Sequence, residues 1–228
     1  MSSAYAWDVT GNLSWPDKTG NNLTYTEVKE VKEIAITDVY SDTAFKQVKY
    51  WDPTGGDNGQ GALTNEWSGF TPDVNVGNGG SWTLTFTIQN LHETDVMTLN
   101  SVTLQAVLFD SAGKFQPNDT KRNITFTLGV QGGETIGSKA QVLDGTGDKT
   151  DSGRAENLNT VVIDLKNPLE IAAKDFVTLT LTANRTNAGV QGTFVGLKGA
   201  SFQLIPEPTT ATLSLLALAG LAVRRRRQ

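Results

Sequence analysis

The chain has 228 residues, with 19 Lys and Arg, 24 Asp and Glu, one His, no Cys, 23 Gly and 30 Thr, and a formal net charge of −5. The absence of Cys excludes a disulfide scaffold and a thiolate zinc site, and one imidazole, His92, is too few for a His-rich metal site and leaves a His-centred triad resting on a single residue. The acidic balance argues against a nucleic-acid partner, while abundant Thr and Gly suit the strands and turns of one all-β domain.

At the N-terminus, Met1, Ser2 and Ser3 precede Ala4-Tyr5-Ala6, a small-x-small sequence of the kind cut by signal peptidase, and polar sequence begins at Trp7. Residues 1–6 are therefore read as a remnant of a signal-peptide cleavage region. Residues 7–205 carry period-2 alternation. Trp82, Leu84, Phe86 and Ile88 fall on one face, with Thr83, Thr85 and Thr87 on the other. The pattern repeats in Val102, Leu104, Ala106 and Leu108, in Ile124, Phe126 and Leu128, in Val161, Ile163 and Leu165, and in Val177, Leu179 and Leu181. Shorter candidate strands are 33–39, 45–51, 192–197 and 200–204. One buried face and one polar face is how antiparallel sheets are written, whereas parallel strands are apolar on both. Nine to eleven such strands predict an antiparallel two-sheet sandwich or jelly roll in preference to a barrel.

Three long polar stretches, 52–81, 110–122 and 143–159, interrupt the strands, and connections of that length commonly build binding surfaces. Trp51 and Trp67 border the longest one. An exposed indole can stack on a sugar ring, although most Trp in such a fold are core. Asp144, Asp148 and Asp151 share a Gly-rich loop, and oxygen-only donors of this kind would take calcium if any metal. Their spacing is also ordinary turn chemistry. His92 reads as a turn residue, and no nucleophile elbow or phosphate-binding loop is present. The expectation is a protein that is not an enzyme and needs no cofactor.

The last 23 residues are a different object. Pro206-Glu207-Pro208 is followed by an apolar run over 209–223 and by Arg224, Arg225, Arg226 and Arg227. Without this tail the body holds 15 basic and 23 acidic side chains, net −8. The prolines should end the last strand and stand clear of the fold. A helix over 209–223 would be roughly 22 Å long, short of the roughly 30 Å hydrocarbon core, and its five Leu would contribute about −2 kcal/mol to insertion. The Arg cluster would stop the segment with its C-terminus on the cytoplasmic side.

In its order of parts the tail resembles the PEP-CTERM sorting signal of Gram-negative, exopolysaccharide-producing bacteria, a motif also labelled as an ice-binding protein C-terminal domain. The resemblance covers about a tenth of the chain and says nothing of ice binding by the body. It implies export across the inner membrane, transient anchoring by the C-terminal helix, and recognition by an exosortase, a membrane-embedded cysteine protease that cuts near Pro206, Glu207 and Pro208. The domain reading is thus 1–6, 7–205 and 206–228. The functional expectation is a non-catalytic cell-surface or extracellular-matrix protein associated with exopolysaccharide. The alternatives are a carbohydrate-binding module using Trp51 and Trp67 and, behind it, a small secreted glycosidase.

Overall fold

The computed structural model describes residues 7–14, 23–28, 31–43, 45–52, 62–72, 74–76, 80–110, 120–145, 158–185 and 193–207. These form twelve strands: β1 (Trp7–Ser14), β2 (Thr24–Glu27), β3 (Ile34–Ser41), β4 (Phe45–Asp52), β5 (Ala62–Pro72), β6 (Ser81–Asn90), β7 (Val96–Phe109), β8 (Lys121–Val130), β9 (Thr135–Asp144), β10 (Asn159–Ile171), β11 (Phe176–Arg185) and β12 (Phe194–Glu207). Among the described residues no helix is long and apolar enough to cross a membrane. The segment 209–223 lies outside them.

Alternation in the sequence becomes burial in the fold. Trp82, Leu84, Phe86 and Ile88 are all buried in one continuous core with Ile124, Phe126, Leu128, Leu179 and Leu181. On the other face, Thr83 meets Thr182 and Thr87 meets Thr178, hydroxyl to hydroxyl, at 3.1 and 3.2 Å. These cross-strand pairs between β6 and β11 explain why the outer positions are Thr, since a β-branched side chain fits the pleat and its hydroxyl finds a partner across it.

Ten strands form one antiparallel sheet in the order β2-β1-β12-β7-β10-β9-β8-β11-β6-β3, and β4 with β5 makes a separate two-stranded sheet. The all-β, antiparallel expectation holds, and these ten strands make a single, nearly closed, barrel-like sheet. Strand β10 is the reason. Its pairing with β7 breaks between Asp164 and Leu169, and in that gap Leu165 pairs with Gly137 of β9. The approach requires glycine, because a Cβ on Gly137 would lie 2.9 Å from the Ile163 side chain and 3.1 Å from the Asp164 carbonyl. Elsewhere side-chain amides bridge this junction. Asn159 exchanges two hydrogen bonds with the Asp144 backbone, and Gln141 donates to the Thr160 carbonyl. At the far edges, the Leu23 amide donates to the Val39 carbonyl at 2.8 Å, bringing the β2 margin against β3.

Strand β1 closes on β12 with Gly11 opposite Ala200. Tyr25 of β2 lies over Gly11, where any Cβ would collide with its ring. Its hydroxyl reaches the carbonyls of Val9 and Ala200, each at 3.0 Å, and its ring packs edge-on against Phe202. Burial, and after it the nearby Glu27 carboxylate, push the Tyr25 phenol well above its ordinary range.

All ten strands of the large sheet run between the same two ends, so the connections sort themselves. Glu27 to Ile34, Asn90 to Val96, Val130 to Thr135 and Ile171 to Phe176 are short turns at one end. The first residue of β1, Trp7, and the last of β12, Glu207, are at that end too, because Trp7 pairs with Leu204 and Glu207 with Val96. The connections Ser14 to Thr24, Ser41 to Ser81, Phe109 to Lys121, Asp144 to Asn159 and Arg185 to Phe194 leave and re-enter at the other end. We call these the turn end and the loop end.

Candidate functional site at the loop end

Following the inward faces toward the loop end, the side chains change character. On β8 the buried series Leu128, Phe126, Ile124 continues in phase to Arg122, and on β11 Leu179, Leu181, Ala183 continues to Arg185. Arg185 stands opposite Ile124 in the register. Arg122 is therefore its diagonal neighbour, about 7–8 Å away along the sheet and within reach of so long a side chain. Beneath them Trp82, fully buried, pairs across from Ala183 and donates its indole N–H to the Val195 carbonyl at 3.0 Å. The barrel mouth is thus rimmed by two guanidinium groups over an apolar floor.

Arg122 is held in place. Its Nε donates to the Thr193 hydroxyl at 3.1 Å and its Nη1 to the Lys121 carbonyl at 2.9 Å. Thr193 is itself fully buried, and its amide donates to Asn75 Oδ1 at 3.2 Å. Burial lowers the Arg122 pKa from its usual value, and the neighbouring Arg185 charge lowers it further. Burial likewise lowers the Lys198 amine on β12. The long polar connections pointed to this end, but the two arginines escape a reading that stops at the last apolar residue. Extending the alternation by one step on β8 and β11 finds both.

The residues singled out in the sequence fall elsewhere. Trp51 and Trp67 lie on the β4–β5 hairpin, where Trp51 pairs with Leu63 and Lys49 with Trp67. The stretch 52–81, read as polar and irregular, therefore contains strand β5. This hairpin adjoins β12, while Val107, Phe109 and Phe194 of β7 and β12 form a small satellite cluster separate from the main core. Asp144 ends β9 and forms an exposed ion pair with Lys121 at 3.0 Å, while Asp148 and Asp151 lie outside the described residues. Among the described residues no group of three or more His, Asp or Glu is placed to hold a metal ion. His92 sits in the β6–β7 turn at the turn end. Its Nδ1 accepts the amides of Asp95 and Thr94 at 3.0 and 3.3 Å, which leaves the neutral ring's proton on Nε2.

The Pro206-Glu207-Pro208 stretch also departs from expectation. Pro206 and Glu207 do not stand clear of the fold but complete β12, opposite Met97 and Val96. Strand β1 begins opposite Leu204, so beyond that point β12 has, among the described residues, a neighbour on one side only. That is where a residue lacking an N–H is tolerated in a sheet. Pro208 and Arg224 to Arg227 lie outside the described residues.

The fold and its polar mouth define an all-β protein built on one curled antiparallel sheet, with its long connections at one end. No family model matches the chain, and no curated protein does. Among solved structures it is similar to an arabinose-bound GH51 α-L-arabinofuranosidase, at 12% identity and a TM-score of 0.30, over 86% of this chain and 26% of that one. It is also similar to dimeric latent PorU from Porphyromonas gingivalis, at 14% identity and 0.27, over 86% and 14%. A third is the mosquito-larvicidal Cry4Aa toxin from Bacillus thuringiensis, at 10% and 0.33, over 91% and 43%. The chain spans less than half the length of each.

Proposed function

We propose that this is an exported, non-catalytic protein of the cell surface or extracellular matrix, anchored transiently in the inner membrane by its C-terminal segment, released by an exosortase and associated with exopolysaccharide. The carrying observation is the tail itself: Pro206-Glu207-Pro208, an apolar run of membrane character, then Arg224 to Arg227, in that order. The position of the chain ends supports the reading. Trp7 and Glu207 both emerge at the turn end, so an anchor following Glu207 leaves the loop end directed away from the membrane. In this reading the ten strands work as two five-stranded faces, β2-β1-β12-β7-β10 and β9-β8-β11-β6-β3, flattened against each other as a sandwich. The body needs no cofactor for display, and calcium at Asp144, Asp148 and Asp151 is the metal its oxygen donors would accept.

The test is fractionation and intact mass after expression with an export signal ahead of residue 7. The full chain is retained in the membrane fraction and then appears shortened near residue 207. A chain lacking 208–228, which keeps β12 whole, goes to the medium at its full encoded mass. Equal retention and size for the two chains would sink the proposal.

A further inference from the structure

We infer that the end of β12 is a latch on the processing site: Ile205, Pro206 and Glu207 reach a protease only after peeling from β7, so the folded body sets the rate at which its own anchor is cut. The inference rests on the sorting reading above for the existence of that protease, whereas the latch rests on the register alone. Ile205 stands opposite Thr98, Pro206 opposite Met97 and Glu207 opposite Val96. A partner that takes a chain as an extended strand pairs its backbone groups with an edge of its own. The segment cannot serve β7 and a protease at once, so pairing with β7 competes directly with cutting.

The two sides of the latch are held unequally. On the β7 side, Met97 is fully buried and Thr98 nearly so, and Ile171 and Glu170 of β10 flank them on the other edge. The Asn90 amide fixes this corner by donating to the carbonyls of Asp95, just ahead of β7, and of Ile171. On the β12 side, Ile205 and Pro206 are only partly buried, and Pro206 has no N–H to give the ladder. Past Leu204 the strand has, among the described residues, β7 as its one neighbour, whereas residues 199–204 lie between β1 and β7. The weak point therefore falls between Leu204 and Ile205. Opening there frees three residues while the sheet stays whole, as frayed strand ends do. Where such opening is fast against cutting, the rate follows the population of the open form.

Two experiments test the latch, and the first needs no sorting enzyme. The purified full chain in detergent is digested briefly with proteinase K, and the C-terminal boundary of the resistant body is read by intact mass. It falls at or beyond Glu207 in the wild type, and inside the insert when about six Gly and Ser residues separate Leu204 from Ile205. Wild-type trimming back to Leu204 as fast as in the insert variant would overturn the inference. The second experiment follows processing by pulse-chase in an exporting, exosortase-bearing host. The insert variant is cut about tenfold faster than the wild type or more, and Asn90→Ala by an intermediate factor. Trp82→Ala, which weakens the opposite end, leaves the rate unchanged; equal acceleration there would assign the rate to global unfolding and overturn the latch. Thr98→Cys/Ile205→Cys puts a disulfide across it, since directly opposed residues lie within disulfide reach. The oxidised double variant accumulates uncut, while Thr98→Cys alone is cut near the wild-type rate. Near-ultraviolet circular dichroism confirms that each variant is folded, and if Asn90→Ala is not, the insert and the disulfide decide. Cutting of the oxidised double variant at the wild-type rate, or no gain from the insert, removes this inference and leaves the sorting proposal standing. A wild-type chain that is neither retained nor cut removes the sorting proposal, and the proteinase K boundary then decides the latch.

Discussion

The two ends of the barrel are made from the same ten strands, yet they solve opposite problems. The turn end is closed by local polar locks. Asn90, fully buried, donates through Nδ2 to the carbonyls of Asp95, Ile171 and Ala172 and accepts the His92 amide on its Oδ1. Lys174, in the left-handed region at φ 63°, reaches across to the Leu91 carbonyl and the Glu93 carboxylate. Each donor there is answered by a nearby acceptor, so the turns are tied to one another. The loop end has an inward rim of like charges over a dry floor. One end ties its polar groups to one another, and the other brings two arginines together above buried side chains.

The contrast can be broken most severely from below the mouth. Trp82→Ala should cost about 3–5 kcal/mol, because it empties the floor and leaves the Val195 carbonyl without its indole donor; chemical denaturation measures it. A loss below 1 kcal/mol would mean the floor is not packed as described. Next comes the turn end. Asn90→Ala strips a donor from three carbonyls at once and should cost about 2–3 kcal/mol, with His92 and its neighbours losing amide-exchange protection ahead of the rest of the sheet. Protection lost uniformly would show that the turn end is no separate lock.

A third prediction concerns pH. The folded Tyr25 phenol is raised above its ordinary value of 10.0, so the folded state keeps a proton that the unfolded chain gives up first. Its contribution is therefore complete below about pH 10 and falls as pH rises further. Tyr25→Phe should be less stable near neutrality, through loss of the bonds to Val9 and Ala200, and should flatten the alkaline decline. An unchanged alkaline slope in the variant would assign the decline to other groups. The smallest effect belongs to the loop-end rim. Lys121→Ala removes an ion pair whose members are 68% and 55% exposed, and screening by solvent should hold the change within about 0.5 kcal/mol. A larger shift would make the rim part of the core.

How much of this was legible depended on whether a strand had one dry face. Strand β6 announced itself because four large apolar residues alternate with Thr. Strand β9 did not, because only Gly137 and Leu143 are buried along it and its backbone ladder with β10 is a single residue pair. Strand β1 hid for a different reason. Its inward series is Val9, Gly11, Leu13, and the volume missing at Gly11 is supplied by Tyr25 from the next strand, a substitution that no periodicity within one segment can express. Strand β5 pairs only with β4 and reads as a polar connection. Closure into one curled sheet was equally invisible, since it turns on the register break in β10 and on Gly137. The arginine pair was present in the pattern and needed only the alternation carried one residue past its last apolar member.

Among the described strands β12 is the last in the chain, yet it lies between β1 and β7. A growing chain therefore holds β1 and β7 apart, each with an open edge, until residues 194–204 exist to join them. Pairing the first strand with the last makes the closing step the most non-local in the molecule, and such contacts form late. Completion of the sheet is thereby coupled to β12: the strands from β7 to β3 in the sheet order can pair before it, but β1 is joined to them only when residues 194–204 arrive.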